Sequence, residues 1–168
     1  MEMYATSAQD EAFLLDLLNT TPVIDGVPTD ALPDLAGASD FMTHHDVRVT
    51  DQEWSALVEA RSALQAVVRG DDPPSVLAPF LEQARLVPTV SDAGIDWAPA
   101  GEARGAVRAV LAWDGLRIAS PGRLRSCANT ECHLFLIDRS KPNTARWCSM
   151  AICGNRMKAR RHYRRSRA

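Results

Sequence analysis

The four cysteines of this chain lie together in one short segment near its C-terminal end. Cys127, Cys132, Cys148 and Cys153 follow the spacing C-x4-C-x15-C-x4-C, which is two equal pairs separated by a hairpin-sized insert. Paired thiolates suit a tetrahedral zinc site, because each short loop places two sulfurs on one side of the metal at about 2.3 Å. The spacing therefore predicts one structural Zn2+ per chain, held by these four cysteines.

Other uses of cysteine fit this pattern less well. Disulfides need an oxidising compartment, and the first residues have neither the basic region nor the apolar core of a secretory signal. A redox dithiol normally has the spacing C-x-x-C, which neither pair has. Histidine is not expected to replace a thiol, because His133 would point away from Cys132 on a strand. His162 would lie about 13 Å beyond Cys153 along a helix.

The residues around the cysteines predict the elements that position them. Segment 133–137 is typical of a strand, Pro142-Asn143 indicates a turn, and Arg146-Trp147 leads back as a second strand to the second cysteine pair. A helix is expected to follow the last cysteine, with Asn155 as its N-cap. The order knuckle, hairpin, knuckle and helix predicts a small α+β, treble-clef-like zinc finger.

The net charge of the chain changes sign shortly before the cysteine-containing segment. Residues 117–168 carry thirteen Lys or Arg against two Asp or Glu, and residues 1–116 carry six against nineteen, for net charges of +11 and −13. Such asymmetry is typical of a polyanion-binding element attached to a body that does not share this task. The cations expected to contact nucleic acid are Arg139, Lys141, Arg146, Arg156, Lys158, Arg160, Arg161, Arg164 and Arg165.

Duplex DNA is the favoured polyanion. Arginine dominates these cations, and its planar fork fits phosphates and guanine edges. Sequence-specific RNA binding generally needs exposed aromatic platforms, whereas Phe135 and Trp147 occupy positions expected in the finger core and leave only Tyr163. Ile152, Ala159 and Tyr163 share one face of the predicted helix and are expected to pack on the finger or the body. A solvated basic tail, and a protein-interaction or RNA-binding module without DNA specificity, remain open alternatives.

The N-terminal part predicts a mainly α-helical domain with one β-hairpin. Its clearest helix begins at a capping signature, Thr50 to Glu53, and stops at Gly70. The length of 168 residues suits one domain over 1–120 and a finger over 121–168. The predicted elements are helices over 9–19, 51–69, 75–84 and 101–119, a helical turn within 37–42, and a hairpin over 86–90 and 95–98.

The sequence contains no recognisable set of catalytic residues. It contains no Gly-rich phosphate loop, no G-x-S-x-G and no H-E-x-x-H. His44-His45 with Asp46 lacks a third ligand at usable spacing, and Asn19 with Thr20 is expected to end the first helix. No apolar run is long enough to span a bilayer. We therefore expect a cytoplasmic protein that is not an enzyme and has no membrane partner, and whose ligand-binding residues are unknown.

Several segments around the cysteines resemble the CGNR zinc finger family. The ten residues 147–156 read W-C-S-M-x-x-C-G-N-R, and the last four give that family its name. One departure is Ala145, where many members carry a second Arg before the Trp, which weakens the expected phosphate contact there. The other segments of the resemblance are Arg123 to Cys127, Cys132, Asp138 to Ser140, and Arg146.

The resemblance also carries expectations about the rest of the chain. In that family the finger usually follows a domain called ABATE, to which Leu15 to Thr20 and the subsequent helix–hairpin–helix order are similar. It implies a DNA-binding transcription regulator, described as stress-induced, whose N-terminal domain senses a small-molecule effector. One finger reads few bases, so a homodimer assembled through the N-terminal domain is also expected.

Overall fold

Five α-helices form much of the chain in the computed structural model, which describes residues 6–92 and 94–166. The helices are α1 Ala8–Leu18, α2 Leu35–His44, α3 Asp51–Arg69, α4 Arg104–Ala119 and α5 Asn155–Arg165, with a 3-10 helix at Pro74–Phe80 and a π-helical turn at Met150–Gly154. Three antiparallel hairpins join them: β1 Val23–Ile24 with β2 Val27–Pro28, β3 Arg85–Ser91 with β4 Gly94–Ala100, and β5 Leu124–Ser126 with β6 Phe135–Ile137. The prediction of a mainly helical body followed by an α+β finger is confirmed.

Helix α3 has the bounds that its capping residues predict. The Thr50 hydroxyl accepts a hydrogen bond from the Glu53 N–H at 3.3 Å, and Gly70 ends the helix with a left-handed φ of 83°. Glu53 does not complete a capping box, because its buried carboxylate accepts hydrogen bonds from the N–H groups of Arg104 at 3.0 Å and Gly105 at 3.1 Å. Helix α3 thus caps the first turn of α4, which has no side-chain cap of its own.

The hydrophobic core lies between α1, α3 and α4. Helix α1 buries one apolar face completely, as its periodicity predicts. Burial of this area from water is the main favourable term in folding of the body. The core residues contributed by these helices include Phe13, Leu14, Leu17, Leu18, Leu57, Leu64, Ala109, Val110, Ala112 and Leu116.

One buried charge network crosses this body. The guanidinium of Arg61, 4% exposed, makes a bidentate pair with Asp30 at 2.7 and 2.8 Å and donates to the Thr20 hydroxyl at 2.9 Å. The hydrogen bonds from Arg61 hold the pKa of Asp30 below its usual value. A buried cation is tolerated here because it is paired and hydrogen-bonded.

Some elements differ from their predicted form. The helix expected over 75–84 is a shorter 3-10 helix, Pro74–Phe80, because the ring of Pro79 would clash with the carbonyl four residues earlier in an α-helix. The turn expected within 37–42 is the longer helix α2, whose N-cap Asp34 accepts from the Gly37 N–H at 2.7 Å. Among the described residues, no helix is both long enough and apolar enough to cross a membrane.

Candidate metal centre

The first cysteine pair lies in the loop that joins β5 to β6. Strand β6 pairs with β5 in the register Leu124↔Ile137, and not with the segment around Arg146 that the sequence suggested. The Cys127 N–H bonds to the Leu134 carbonyl at 2.8 Å and closes the knuckle. The Ala128 N–H bonds to the Arg146 carbonyl, also at 2.8 Å, and so brings the chain that carries the second pair against the first.

The four cysteine sulfurs form one compact cluster, with all Sγ atoms within 4.8 Å of one another. The Sγ atoms of Cys132 and Cys148, and those of Cys148 and Cys153, are 3.7 Å apart. A tetrahedron with metal–sulfur distances of about 2.3 Å has sulfur–sulfur edges of about 3.8 Å, whereas a disulfide measures about 2.05 Å. All four cysteines are free, and their spacing fits one structural zinc ion.

Asn129 supports this cluster from inside the knuckle. Its side chain is fully buried, and its Nδ2 donates to the Sγ of Cys153 at 3.5 Å. Its Oδ1 accepts from the Glu131 N–H at 3.3 Å, and its carbonyl accepts from the Cys132 N–H at 2.8 Å. Asn129 therefore links the first knuckle to a sulfur of the second pair, a contact between ligand and supporting residue that the sequence did not reveal.

The surroundings of the sulfurs act on their pKa values in different directions. Burial raises the pKa of Cys132 to about 11, and burial followed by the crowded neighbouring thiols raises the pKa of Cys148 as well. Burial also opposes ionisation of Cys153, but hydrogen bonds from Asn129 and from the other thiols outweigh it and leave the pKa of Cys153 lowered. Cys132 and Cys148 thus need a divalent cation to remain thiolates, which is the chemistry that Zn2+ supplies in a four-cysteine site.

The π-helical turn carries the last cysteine directly into α5. The Ser149 hydroxyl accepts from the Ile152 N–H at 3.4 Å at the start of this turn. A Cβ on Gly154 would lie 2.7 Å from the Met150 sulfur and 3.2 Å from a Trp147 ring carbon, so only glycine fits without displacement. Asn155 is the first residue of α5 and not its N-cap, because the preceding turn is already helical.

The buried carboxylate of Asp138 organises the loop between the two cysteine pairs. It accepts hydrogen bonds from the N–H groups of Ser140 at 2.8 Å and Ala145 at 2.7 Å, and Arg125 lies 3.8 Å away. The hydrogen bonds from Ser140 lower the pKa of Asp138 and keep it ionised. The bond from residue 145 comes from the backbone, so Ala145 retains it in place of the usual Arg.

The finger is docked on the body through its hairpin. Phe135 is 1% exposed and belongs to the same core as α1 and α3. Its backbone forms two hydrogen bonds with the side chain of Asn19, which accepts from the Phe135 N–H at 2.7 Å and donates to the Phe135 carbonyl at 3.2 Å. The guanidinium of Arg69 lies 4.9 Å from the Phe135 ring centre, and Arg139 pairs with Glu11 at 2.7 Å. Asn19, at the end of α1, therefore pairs with the backbone of the finger as a residue of a neighbouring strand would.

The nine candidate nucleic-acid contacts have different surroundings. Arg139 is paired with Glu11, Arg160 is paired with Glu131 at 2.6 Å, and Arg146 lies 5.3 Å from the Trp147 ring centre. Six others are exposed, with no acidic partner within 4 Å in the described part of the chain: Lys141, Arg156, Lys158, Arg161, Arg164 and Arg165. Ile152, Ala159 and Tyr163, which share one face of the predicted helix, are all exposed in the structure.

The His44-His45 pair does not form a second metal site. His45 is half-buried against Phe41, its Nε2 lies 3.4 Å from an Asp16 oxygen, and burial lowers its pKa. Both histidines line an open cleft of about 600 Å³ between α1, α2, α4 and β4, together with Trp97. Among the described residues, the four cysteines are the only His, Cys, Asp or Glu cluster arranged to hold a metal.

Comparison with known proteins agrees with this geometry. No curated protein matches the chain. Residues 123–166 match the family model of the CGNR zinc finger, a span that contains β5, both cysteine pairs and α5. The C-terminal segment of this chain thus matches the CGNR zinc finger family and contains a four-cysteine metal site.

Proposed function

We propose that this protein is a DNA-binding transcription regulator whose structural zinc finger presents the Arg-rich helix α5 to duplex DNA. The observation that carries the proposal is the position of α5, which leaves the metal centre through the π-helical turn and has no buried residue. A helix with most of its cations unpaired and its sides open to solvent has the dimensions to enter a major groove or to lie along a phosphate backbone.

The cations of α5 form two rows on different sides of the helix. One row has i, i+4, i+8 spacing and the other has i, i+3, i+7 spacing, so each follows one side of the helix. The first row lies toward the first knuckle, where Arg160 pairs with Glu131. The rows are Arg156, Arg160 and Arg164, and Lys158, Arg161 and Arg165.

The negative charge of the body is expected to restrict contact with DNA to the finger. Residues 1–116 have a net charge of −13, which repels phosphates, whereas residues 117–168 have a net charge of +11. Such a distribution steers a polyanion toward one end of the molecule. Duplex DNA is thus expected to approach α5 and the loop that carries Lys141 and Arg146.

The metal's part in this function is structural. An isolated helix of 11 residues is marginal in water, and the finger is too small to fold on its own burial. With zinc bound, the four cysteines fix the π-helical turn and hence the direction of α5. No residue of the finger is assigned a catalytic role.

For the N-terminal domain we propose dimerisation and effector binding. One side of the β3–β4 hairpin is apolar and exposed, including Val90 at 86% and Ile95 at 65%, and these residues are paired across the strands. Exposed apolar surface of this kind favours association with a second copy. The 600 Å³ cleft beside Trp97 has the volume of a small-molecule site. Light scattering of the Val90→Glu variant tests the dimer, which this charge would dissociate.

Salt-dependent titration of duplex DNA with the zinc-loaded full chain tests the DNA contact. About six phosphate contacts would give a slope of log K against log salt near −5, at about 0.9 per contact. Replacing Arg161 and Arg165 with Gln should reduce the magnitude of that slope by about 2. Arg85→Gln is the matched control, because Arg85 is exposed on the body, and it should leave the slope unchanged. Equal effects of both changes, or no duplex binding, would contradict the proposal.

A protein-interaction module is the second candidate. The observation that favours it is the pairing of Arg139 and Arg160 with carboxylates of the same chain, so the finger already recognises acidic side chains. The same titration separates the two functions. A module of this kind would bind any polyanion alike, with no preference for duplex DNA over an acidic peptide.

A further inference from the structure

A groove leads from solvent to the metal-binding sulfurs. It has a volume of about 570 Å³ and lies between the β1–β2 turn, the end of α1, strand β6 and the π-helical turn. Three of the four cysteines line it: Cys132, Cys148 and Cys153. The sulfurs are therefore approachable from one side by a molecule of small size.

The four cysteines are not equally exposed. Cys132 and Cys148 are half-buried, whereas Cys127 and Cys153 are buried. Each buried sulfur also accepts a hydrogen bond at 3.5 Å, Cys127 from the Cys148 N–H and Cys153 from Asn129. The two half-buried sulfurs are 3.7 Å apart, so a small movement could bring them to bonding distance.

We propose that Cys132 and Cys148 form an oxidation site for small neutral hydroperoxides that enter through this groove, and that the resulting disulfide releases the metal. The proposal is independent of DNA binding and requires only the four-sulfur site. It assigns separate parts to the two halves of the ligand set. Cys132 and Cys148 react, whereas Cys127 and Cys153 stay covered.

The reaction is a two-electron exchange that balances. One of the two half-buried sulfurs attacks the outer oxygen of the hydroperoxide as a thiolate, the O–O bond breaks, and the other oxygen leaves as an alcohol after taking a proton. The thiolate of the other half-buried cysteine then attacks the sulfenic sulfur, an S–S bond forms, and hydroxide leaves and is protonated to water. Two thiolates are oxidised and one peroxide is reduced. A zinc ion bound at this site would keep its charge but would lose two of its four ligands.

The lining of the groove selects the kind of oxidant. Its walls include Leu15, Val23, Leu134 and Ile152, which favour a neutral molecule with an apolar body. Two carboxylates, Asp25 and Glu131, face one cation, Arg156, among the lining residues, so an anionic oxidant gains no net attraction. An alkyl hydroperoxide fits this description.

To test this, the zinc-loaded full-length chain is incubated with tert-butyl hydroperoxide, and metal release is followed with a chromogenic chelator. Disulfides are mapped by mass spectrometry after blocking free thiols. We expect metal release together with one Cys132–Cys148 disulfide, both reversed by a reductant and added Zn2+. A first disulfide between Cys127 and Cys153, oxidation spread evenly over four sulfurs, or full retention of the metal would overturn the proposal.

Neighbouring residues of one strand supply the matched variants. Val23 lines the groove, whereas Ile24 points away from it and is 56% exposed. We expect Val23→Trp to slow metal release several-fold and Ile24→Trp to leave it unchanged, at equal initial zinc content. Ile152→Trp fills the groove from the other wall, where the side chain is exposed and a larger one is tolerated. Wild-type rates in both groove variants, or equal slowing in the Ile24 control, would contradict entry by this route.

Discussion

The N-terminal body and the C-terminal finger are each stabilised by a different kind of interaction. Helices α1, α3 and α4 of the body share an apolar core, and the buried ions of the body are paired, as in Arg61 with Asp30. The finger has little apolar interior of its own. Its central groups are four sulfurs and two buried polar side chains, Asn129 and Asp138, that bond to sulfur or backbone.

The two regions meet in the β5–β6 hairpin, which belongs to both. Phe135 fills the body core, and the loop before it carries the first cysteine pair. Metal binding is thus expected to stabilise the body only indirectly, through the packing of Phe135, while loss of the metal is expected to unfold the finger around the cysteines. Three substitutions and an acid titration test this asymmetry.

Cys148→Ser removes one metal ligand. The finger should lose zinc and its ordered structure, because structural zinc supplies about 10–16 kcal/mol near neutral pH. Residues 1–116 should remain folded on their own core. Zinc stoichiometry and hydrogen exchange measure both parts, and retained zinc with an unchanged exchange pattern in the finger would contradict the expectation.

Phe135→Ala tests whether the hairpin belongs to the body core. The side chain is fully buried, so the truncation should destabilise the body by about 3–5 kcal/mol. Chemical denaturation followed through helix content in the N-terminal body measures this change. Trp147→Ala is a suitable control, because Trp147 is only half-buried and lies on the finger. A body equally stable in the Phe135 variant would mean that the two regions fold independently.

Asn19→Leu removes the two hydrogen bonds to the Phe135 backbone at similar side-chain size. A part-buried N–H and carbonyl then lose their partners, which costs about 1–3 kcal/mol. The loss should appear as faster hydrogen exchange at Phe135 with zinc still bound. Unchanged protection of that amide would show that the contact is not needed for docking.

Acid should release the finger before it affects the body. Zinc requires thiolates, and the pKa of Cys132 lies near 11, so protons compete for the sulfurs well above the range in which carboxylates titrate. The folded pKa of Asp30 is lowered from about 3.9 unfolded, so its stabilisation persists above that value and is lost as pH falls through the lower folded pKa. A pH titration of zinc release and helix content checks the order. Simultaneous loss would contradict it.

Local signals were sufficient for the elements whose ends depend on neighbouring residues. Thr50 and Gly70 predict the bounds of α3, and the cysteine spacing predicts the metal cluster. Both predictions depend only on residues that are close together in the sequence. The division at residues 120 and 121 stays a prediction. The shared core through Phe135 makes the two parts interdependent.

Contacts between distant residues were not predictable from the pattern. Strand β6 has the apolar composition of a strand, but nothing in its sequence chooses Leu124 to Ser126 over the segment before Cys148 as its partner. Asn19 lies 116 positions from the backbone that it binds, and the sequence predicts it only as the residue that ends the first helix. Asn129 carried one weak signal, a polar residue inside a knuckle, whose burial depends on the second cysteine pair.

X-ray absorption at the zinc edge of purified, zinc-loaded protein most directly tests whether four sulfurs organise the C-terminal end. The expected result is one zinc per chain with four sulfur neighbours at about 2.3 Å and no nitrogen or oxygen ligand. A mixed ligand shell, a chain that does not retain zinc, or cysteines found as disulfides would contradict the four-sulfur centre and the orientation of α5 that depends on it.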